Sequence, residues 1–407
     1  MRRRSFLVGA ALLVGCDRHR SRPGSSPVSS ASSGSQAPAA PPDAAPAPAP
    51  TAGDAAADLE LFLRFPALAS RVPRVPLARL PSRVESADVL AREIGLDALL
   101  VKRDDDLADV IGGGKVRKLE LLLGEARQQG KTSVVTFGGV GSNQAVATAL
   151  LGRELGLSVR LCLAPQPPST LVTGNLRADA ASSAALRLFE SVASAEATVA
   201  RESSAVARGD LYVIPPGGTG PLGTLAFVSA GLEIAAAVGR GSMQSPSRIY
   251  VPLGLGGTAC GIALGCAIGG LATEVVAVRA SNPTTVTDGT LASIVDRTID
   301  FAVALDPTFP RLPRSRLQLR IDGRFVGRGY GSPTREGDEA IRQASASAGW
   351  ELDPVYTGKA LAALIADARS ASGLRGPVLF WNTQNSRPLP GAEVPEAFRS
   401  YVRAGRT

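Results

Sequence analysis

From about residue 59 onward, short apolar runs rich in β-branched residues alternate with longer stretches in which apolar residues recur every three or four positions. The short runs predict buried strands, and the longer stretches predict helices. The predicted strands include Ser133–Phe137, Ser158–Ala164, Leu211–Ile214, Arg248–Leu253, Glu274–Val278 and Val378–Trp381. The predicted helices include Val116–Gln128, Gln144–Leu155, Leu222–Val238 and Tyr356–Ala371. This alternation indicates an α/β protein with a parallel sheet covered on both faces.

The first 22 residues carry the features of a bacterial export signal in the expected order. Arg2–Arg4 form a basic start, and Phe6–Gly15 is an apolar run shorter than the ~20 residues that span a bilayer. Arg3–Leu7 resembles a twin-arginine signal, and Leu13–Cys16 resembles a lipobox. We therefore expect an exported lipoprotein of the bacterial cell envelope that faces the periplasm, anchored to the inner or the outer membrane through Cys16. An uncleaved anchor is the alternative.

Residues 23–58 form a second segment, which consists almost entirely of Pro, Ala, Ser and Gly. Such a segment buries too little apolar surface to offset its ordering entropy, so we expect a disordered tether. Residues 59–407 then make up the folded domain, and 44% of the whole chain is hydrophobic, which is ample for a sizeable core.

Charge and histidine content exclude several classes of function. Of the formal net charge of +8, residues 1–24 contribute +5, from six arginines against one aspartate. The chain has no long Lys/Arg block with interleaved aromatic residues, so the pattern of a nucleic-acid binder is missing. The single histidine, His19, lies in the export region. Ser-His-Asp hydrolases, Cys-His proteases and histidine-ligated zinc sites are therefore excluded from the folded domain.

The cysteines of the folded domain show no metal-binding or disulfide spacing. Cys162 sits within a predicted strand, and Cys260 and Cys266 lie six residues apart on a predicted helix, which places them on different faces. We expect three free, buried thiols and no metal site.

Four polar clusters follow predicted strands or open predicted helices. They are Gly112–Lys115, Gly138–Gln144, Gly254–Thr258 and Asn382–Thr383. In parallel α/β sheets, ligands bind beyond the carboxyl ends of the strands. We therefore expect the four clusters to converge on one edge of the sheet and to form a ligand site.

Lys115 and Lys118 carry the sharpest chemical signal, because they begin a helix one turn apart and on the same face. Two like charges near the positive end of a helix dipole are unfavourable unless an anion lies between them or one amine is neutral. A phosphate-bearing aldehyde would satisfy both conditions. A solvated basic helix start is the equally weighted alternative at this point.

Gly254–Thr258 has the composition of a phosphate-binding loop, in which glycines let backbone N–H groups approach an anion at a helix N-terminus. The segment also matches a loose dinucleotide fingerprint through Gly254, Gly256 and Ala259. Glu274, about twenty residues on, begins the next strand, whereas ribose recognition needs an acid at its end. A mononucleotide or pyridoxal phosphate therefore fits better than a dinucleotide.

Taken together, these segments resemble the pyridoxal-phosphate enzyme family that contains D-cysteine desulfhydrase and 1-aminocyclopropane-1-carboxylate deaminase. The matching stretches, in the family's order and spacing, are Lys102–Asp105, Gly113–Glu120, Gly138–Gln144, Ile214–Gly223, Gly254–Gly261, Tyr330–Pro333 and Asp353–Lys359. The resemblance implies fold type II of the pyridoxal-phosphate enzymes, with two parallel-sheet α/β domains. The larger domain holds the cofactor, and the smaller one is inserted at about residues 118–225.

The resemblance also gives a role to each residue that matches a motif. Lys115 matches the Schiff-base lysine, and Lys118 matches a phosphate contact. Asn143 matches the residue that hydrogen-bonds the cofactor's phenolic oxygen, and Ser142 matches a hydroxyl that lies against the substrate.

The remaining matches complete the implied site. Tyr330 and Tyr356 match tyrosines that line the substrate pocket, and Thr357 matches the residue that faces the pyridine nitrogen. The phosphate loop is matched by Gly254, Gly256, Gly257 and Thr258.

Three departures from the family pattern bear on the activity. Gly114 replaces the Asn that usually precedes the lysine, and Leu255 replaces a Ser or Thr of the phosphate loop. The segment Asn382–Asn385 stands where the family has His-Thr-Gly-Gly. Side chains in place of two glycines would narrow or close the pocket, so a non-catalytic member of the family stays open.

The resemblance implies a lyase that acts on a small amino acid and releases ammonia and a 2-oxo acid. Lys115 would hold the cofactor and then act as the base at the α-carbon. The deaminase branch has a carboxylate where this chain has Thr357, and a neutral hydroxyl can donate a hydrogen bond to an unprotonated ring nitrogen. A weaker electron sink suits a good leaving group, so we expect β-elimination from D-cysteine or a related β-substituted alanine, giving pyruvate and ammonia.

Three alternatives remain at the level of the sequence. The turn Ser142–Gln144 reproduces the deaminase version, which favours a 1-aminocyclopropane-1-carboxylate deaminase. A non-catalytic lipoprotein that binds pyridoxal phosphate or an amino acid fits the substituted segment Asn382–Asn385. A nicotinamide-dependent oxidoreductase leaves Lys115 unexplained. The natural substrate, its stereochemistry and the oligomeric state stay open, with a homodimer as one assembly to test.

Overall fold

The computed structural model describes residues 59–205, 209–370 and 373–403. The export signal expected over residues 1–22, with Cys16 and His19, lies outside these residues. The tether expected over residues 23–58 lies outside them as well. Export, lipidation and the tether therefore stay predictions from the sequence.

Within the described residues, ten strands form two sheets. The strands are β1 (Val84–Ser86), β2 (Leu99–Arg103), β3 (Ser133–Gly139), β4 (Ser158–Ala164), β5 (Ala185–Leu188), β6 (Leu211–Val213), β7 (Arg248–Leu253), β8 (Glu274–Arg279), β9 (Leu319–Asp322) and β10 (Val378–Asn382). One sheet has six strands in the order β1-β2-β10-β7-β8-β9, and the other has four in the order β5-β4-β3-β6.

Every pair of neighbouring strands is parallel except β1 and β2. The expected parallel α/β fold is therefore confirmed, with one antiparallel pair at the edge of the larger sheet as a correction. A three-residue edge strand such as β1 is too short for a periodic pattern to reveal it.

The helices cover both sheets and alternate with the strands along the chain. They are α1 (Glu60–Arg64), α2 (Pro66–Arg71), α3 (Asp88–Ile94), α4 (Lys115–Gln128), α5 (Asn143–Glu154), α6 (Thr170–Ala181), α7 (Val192–Ala205), α8 (Pro221–Gly239), α9 (Gly257–Ile268), α10 (Asp288–Leu305), α11 (Arg335–Ala348) and α12 (Thr357–Ala368). The predicted bounds of β4 and β7 are those of the structure, and the other predicted elements differ by one to three residues at their ends.

The four-stranded sheet is built from one continuous stretch of chain. Its strands β3–β6 lie between residues 133 and 213, whereas the six-stranded sheet takes β1 and β2 from before this stretch and β7–β10 from after it. The insertion begins directly after α4, the helix that Lys115 opens. The domain boundaries expected from the resemblance, with a smaller lobe at about residues 118–225, stay a prediction.

The helix α8 is the apolar centre of the core. It has 19 residues, and its most apolar 18-residue stretch has a mean hydropathy of 1.7, so by length and composition alone it could cross a membrane. However, 72% of that stretch is buried inside the protein. It packs against α1, α4, α9 and α10. Because α8 touches both α4 and α9, it holds the start of the lysine helix close to the start of the helix that follows the predicted phosphate loop.

The three cysteines of the described chain, Cys162, Cys260 and Cys266, are buried and form no disulfide, as predicted. Burial raises the pKa of the thiols of Cys260 and Cys266 to about 12. At neutral pH these two side chains are therefore protonated and behave as small apolar groups.

Candidate active site

Lys115 is the first residue of α4, and the loop before it is tied down by hydrogen bonds. The backbone N–H of Gly112 donates to Asn385 Oδ1 at 2.7 Å, and the N–H of Gly114 donates to the carbonyl oxygen of Thr383 at 3.1 Å. These bonds fasten the glycine loop to the segment that follows β10. They place Lys115 where the carboxyl ends of β2 and β10 meet.

The amines of Lys115 and Lys118 donate to the same acceptor, the carbonyl oxygen of Gly217, at 3.3 and 3.1 Å. Among the described residues, no carboxylate forms an ion pair with either amine. Burial lowers the pKa of Lys115 to about 8. Burial, and next the charge of Lys115, hold the pKa of Lys118 well below its ordinary value. Two uncompensated amines in this position favour an anion beside Lys118 and a partly neutral, nucleophilic amine at Lys115.

The surroundings of the Lys118 amine have the form of a phosphate site. Thr219 Oγ1 lies 3.5 Å from the amine, and the buried Thr224 Oγ1 has no hydrogen-bond partner in the described part of the chain. Gly257 opens α9 beside both groups, and a Cβ at Gly257 would come within 3.2 Å of Lys118 Nζ and 3.1 Å of Thr224 Oγ1. The space beside Gly257 is therefore surrounded by the amine of Lys118, the hydroxyls of Thr219 and Thr224 and the N-terminus of α9. It stays open only because residue 257 has no side chain, and these surroundings suit a phosphate dianion.

The predicted phosphate-loop residues fall in one turn between β7 and α9. Gly256 is the N-cap of α9 with a φ of 97°, a conformation that L-residues with a side chain rarely adopt. Gly254 directly follows β7, and Thr258 is the second residue of α9 and is partly exposed. Leu255, which departs from the family, lies against Gly217: its Cδ1 is 3.4 Å from the position of a Cβ there.

Ser142 and Asn143 begin α5, at the carboxyl end of β3. Ser142 caps the helix, because its Oγ accepts a hydrogen bond from the N–H of Ala145 at 3.2 Å. Asn143 Oδ1 accepts from Asn175 Nδ2 at 2.8 Å, and Asn143 Nδ2 donates to Gln384 Oε1 at 3.2 Å. The predicted cofactor contact Asn143 is thus joined directly to the segment that replaces the family's glycines.

Tyr330 and Tyr356 form a pair that bridges the two sheets. Tyr356 Oη donates to Tyr330 Oη at 2.9 Å, and the two rings meet edge to face with centroids 6.0 Å apart. The Tyr356 ring lies 3.5 Å from the Cβ position of Gly254, and the Tyr330 ring lies 3.4 Å from that of Gly139. Burial raises the pKa of both phenols, so both keep their protons at neutral pH.

Thr357, the first residue of α12, is fully buried and bonded to Asp353. Its Oγ1 accepts from the N–H of Asp353 and donates to Asp353 Oδ2, both at 2.8 Å. The same carboxylate also accepts the N–H groups of Val355, Tyr356 and Thr357. The expectation that Thr357 donates to a ring nitrogen is therefore corrected: its only hydrogen is used, and one lone pair is left to accept a bond.

The four polar clusters meet, but they do not share one sheet edge. Gly138–Gln144 follows β3 of the four-stranded sheet, whereas the other three clusters follow β2, β7 and β10 of the six-stranded sheet. The single-edge expectation is therefore wrong, because the inserted sheet supplies one wall of the site. A cavity of about 20 Å³, with room for about one water molecule, lies among the clusters other than Gly254–Thr258 and is lined in part by Lys115, Asn143, Gln384 and Asn385. Gln384 and Asn385, which stand where the family has glycines, are thus part of the cavity wall.

A buried network of two cations and two anions fixes the helix start that carries Lys115. Arg117 Nε donates to Asp104 Oδ2 at 2.8 Å, and its Nη1 donates to Glu233 Oε1 at 2.6 Å. Lys102 Nζ lies 2.7 Å from Glu233 Oε2. Burial alone would raise the pKa of Glu233, but the charges of Arg117 and Lys102 outweigh it and lower that pKa to about 2. The network ties α4 to α8 and to the end of β2.

Several residues of the site carry no role in the sequence analysis, namely Thr219, Thr224, Asn175 and Asp353. Thr224 is a polar residue inside the apolar stretch Leu222–Val228, and Asn175 occupies a buried position of α6. A polar side chain at a core position is the one signal that could have singled out these two. Neither pattern says which group the side chain contacts.

Comparison with known proteins agrees with this geometry. Residues 75–384 match the family model described as "Pyridoxal-phosphate dependent enzyme". The chain is 35% identical to nocardicin C-9' epimerase of Nocardia uniformis subsp. tsuyamanensis over 339 residues, which cover 81% of this chain and 99% of the epimerase. It is 33% identical to the "Putative 1-aminocyclopropane-1-carboxylate deaminase" of Pyrococcus abyssi, over 80% of this chain and 94% of that protein.

Solved structures show the same architecture. The crystal structure of an ACC deaminase homologue superposes with a TM-score of 0.67 at 30% identity, covering 82% of this chain and 96% of the homologue. A threonine deaminase from Solanum lycopersicum shares the fold, with a TM-score of 0.53 at 19% identity and coverage of 86% of this chain and 89% of that chain. The paired lysines and the cradle at α9 fit an aldehyde that bears a phosphate. The chain belongs to the family of pyridoxal-phosphate-dependent enzymes, with the fold-type-II architecture.

Proposed function

We propose that this enzyme is a lyase that eliminates a β-substituent from a small amino acid, with D-cysteine or a related β-substituted alanine as substrate. One observation carries the proposal: the Lys115 amine, with a pKa of about 8, shares the carbonyl of Gly217 with the amine of Lys118, which adjoins the phosphate cradle. An amine that is partly neutral near pH 8 can both hold an aldehyde and remove a proton. Pyridoxal phosphate, when bound, supplies the electron sink.

Each residue then has a defined task. Lys118 and the N-terminus of α9 would hold the phosphate and so orient the ring. Asn143 would offer an N–H to the phenolic oxygen, and Lys115 would take the proton from the α-carbon of the substrate. Ser142 Oγ uses a lone pair to cap α5, so its hydrogen is free to reach the substrate.

The elimination balances without an oxidant or a reductant. One proton leaves the α-carbon, the β-substituent departs with its electron pair, and one water molecule releases ammonia and pyruvate. For D-cysteine the products are hydrogen sulfide, ammonia and pyruvate.

The corrected role of Thr357 weakens the argument against cyclopropane opening. A hydroxyl that can only accept favours a protonated ring nitrogen, which makes the ring a stronger sink than a donor would. The alternative of a 1-aminocyclopropane-1-carboxylate deaminase is therefore retained, and the Pyrococcus relatives that bear that name support it. β-Elimination remains the preferred reaction because it requires only a base at the α-carbon and a good leaving group on the substrate.

Epimerisation is a second candidate, favoured by the identity of 35% with nocardicin C-9' epimerase. Epimerisation also begins with removal of the α-proton, but the proton returns on the opposite face and no group leaves. Tyr330 and Tyr356 remain protonated at the site, and Tyr330, which accepts the hydrogen bond of the pair, could supply that proton. Exchange of the α-hydrogen in D₂O without pyruvate release would identify this reaction.

Two assays test the proposal. Borohydride reduction of the cofactor-loaded protein followed by peptide mapping should place the pyridoxyl group on Lys115, and the Lys115→Ala variant should lose it while Lys359→Met keeps it. Pyruvate release should be faster from D-cysteine or β-chloro-D-alanine than from 1-aminocyclopropane-1-carboxylate. The reverse order would establish the deaminase, and no turnover of any of them by a loaded protein would favour the non-catalytic binding lipoprotein.

We also propose that the enzyme is anchored to a membrane of the cell envelope through a lipid on Cys16. The support is the order of basic start, short apolar run and lipobox in the sequence. The twin-arginine route carries folded proteins, so a cofactor bound in the cytoplasm could travel with the domain. Replacing Cys16 by Ala should move the protein from the membrane fraction to the soluble fraction. An unchanged distribution would reject lipidation as the anchor.

A further inference from the structure

Asn175 is a buried residue of α6 that links the start of α5 to the cofactor site. Its side chain is 3% exposed. Its Nδ2 donates to the carbonyl oxygen of Gly141 at 2.9 Å and to Asn143 Oδ1 at 2.8 Å. Asn143 in turn donates through Nδ2 to Gln384 Oε1 at 3.2 Å. Three side-chain amides therefore form a row that starts at a backbone carbonyl and ends at the cavity beside Lys115.

The carbonyl of Gly141, at the start of this row, determines which end of each side-chain amide, the oxygen or the nitrogen, faces its neighbour. The carbonyl of Gly141 can only accept, so the atom of Asn175 that faces it is the nitrogen. That nitrogen can only donate, so the atom of Asn143 that faces it is the oxygen. Asn143 must then turn its NH₂ group toward the cavity, where one hydrogen goes to Gln384 and the second meets no partner among the described residues. No other assignment of oxygen and nitrogen satisfies both contacts of Asn175.

The Gly141 carbonyl is itself held in place. The N–H of Gly141 donates to Gln166 Oε1 at 3.3 Å, and Val172 of α6 packs 2.7 Å from the position of a Cβ at Gly141. The reference point of the row is thus part of the packed joint between β3 and α6. Without Asn175, nothing among these contacts would choose between the two orientations of the Asn143 amide, since Gln384 can reverse together with it.

We propose that Asn175 is a positioning residue, which fixes the Asn143 amide so that an N–H faces the phenolic oxygen of bound pyridoxal phosphate. The inference rests on the proposed function only for the identity of that oxygen. Asn175 acts through Asn143, because its Nδ2 is directed at the carbonyl of Gly141 and at Asn143 Oδ1. A donor at this oxygen stabilises the more negative, basic form of the bound cofactor, and it therefore lowers the pKa at which the cofactor's visible absorption band changes.

The test is a pH titration of that absorption band in the loaded enzyme without substrate. Asn175→Ala should raise the transition pKa by about one, the size of a charge-assisted hydrogen bond lost at an anionic oxygen. Asn143→Ala should raise it by the same amount. In the Asn143→Ala background, Asn175→Ala should add nothing, because its effect passes through Asn143. Thr173→Ala, on the same helix α6, removes hydrogen bonds to Ser169 and Arg403 and leaves the amide row intact. It is the matched control and should leave the transition pKa unchanged.

A second variant and a second measurement keep the outcome decisive. Asn175→Asp keeps the size but can only accept, so it should turn the Asn143 oxygen toward the site and raise the transition pKa at least as much as alanine does. In the protein without cofactor, the side-chain amide hydrogens of Asn143 should exchange with solvent about tenfold faster in Asn175→Ala than in the wild type. An unchanged transition pKa, or an equal shift in the Asn143→Ala background, would overturn the inference. If the wild-type protein binds no cofactor, the proposed function is rejected instead. The exchange rate of the Asn143 amide hydrogens would then still show whether Asn175 orients that amide.

Discussion

The burial of Lys115 without a carboxylate partner predicts that this lysine destabilises the protein when no cofactor is bound. Replacing it by Met keeps the length and apolar character of the side chain and removes the charge. The hydrogen bond to the carbonyl of Gly217 is lost, but Lys118 still donates to that oxygen at 3.1 Å, so no acceptor is left empty. We therefore expect the Lys115→Met apoprotein to be more stable than the wild-type apoprotein.

The magnitude follows from the lowered pKa. Burial lowers the pKa of Lys115 from 10.5 to about 8, which at ~1.4 kcal/mol per pKa unit makes the ammonium unfavourable by about 3 kcal/mol at neutral pH. Losing one hydrogen bond offsets about 1 kcal/mol of this gain. The free energy of unfolding of the variant should thus exceed that of the wild type by about 2 kcal/mol at pH 7.

The difference should depend on pH in one direction only. The folded-state pKa lies below the unfolded-state value, so the unfolded wild type binds more protons and wild-type stability rises with pH. The advantage of the variant is full below about pH 8, falls between about 8 and 10.5, and is gone above that range.

Urea unfolding of both apoproteins between pH 6.5 and about 10 measures this difference. Lys131→Met is the matched control, because Lys131 lies just beyond α4 and donates to the carbonyl of Gly209 at the surface. This variant should change the stability little at any pH. The reasoning is refuted if Lys115→Met is no more stable than the wild type at pH 7, or if its advantage does not shrink as the pH rises.

Three further perturbations have defined outcomes. Asp179 is fully buried, neither of its carboxylate oxygens is bonded to any described group, and burial raises its pKa well above the usual value. Asp179→Asn should therefore raise the free energy of unfolding at pH 7 by ~1–3 kcal/mol, measured in urea. This gain should vanish as the pH falls to about 3.8. Gly256→Ala would place a Cβ on a residue with a φ of 97°, 2.7 Å from Leu291 Cδ2. The free energy of unfolding should therefore fall by ~1–3 kcal/mol, and the affinity for the cofactor should fall as well. Unchanged values of both would contradict this expectation. Arg117→Met leaves Glu233 short of a partner and should lower the unfolding free energy by ~3–5 kcal/mol, and a loss below about 1 kcal/mol would disprove the proposed anchoring.

The sequence determined the elements of the fold and the chemical groups of the site. Nearly continuous apolar runs predicted β4 and β7 to the residue, because most positions of these two strands are buried and therefore have to be apolar. The pair Lys115 and Lys118 could be singled out for the same kind of reason, since like charges one turn apart need a compensating partner. Glycine-rich loops at strand ends likewise indicated an anion-binding site, because few other sequences let backbone N–H groups converge on one point.

Only the tertiary structure decided how these groups are oriented and what they face. The apolar pattern alone did not show that the turn Gly138–Gln144 belongs to a second sheet, since sequence spacing does not tell which strands pair; only the family resemblance implied a second, inserted sheet. The direction of the hydrogen bond at Thr357 depends on Asp353 four residues earlier, and that of Asn143 depends on Asn175 from another helix. A hydroxyl or an amide can donate or accept, so its sequence position alone leaves its polarity undetermined, and the neighbours brought by the fold determine it.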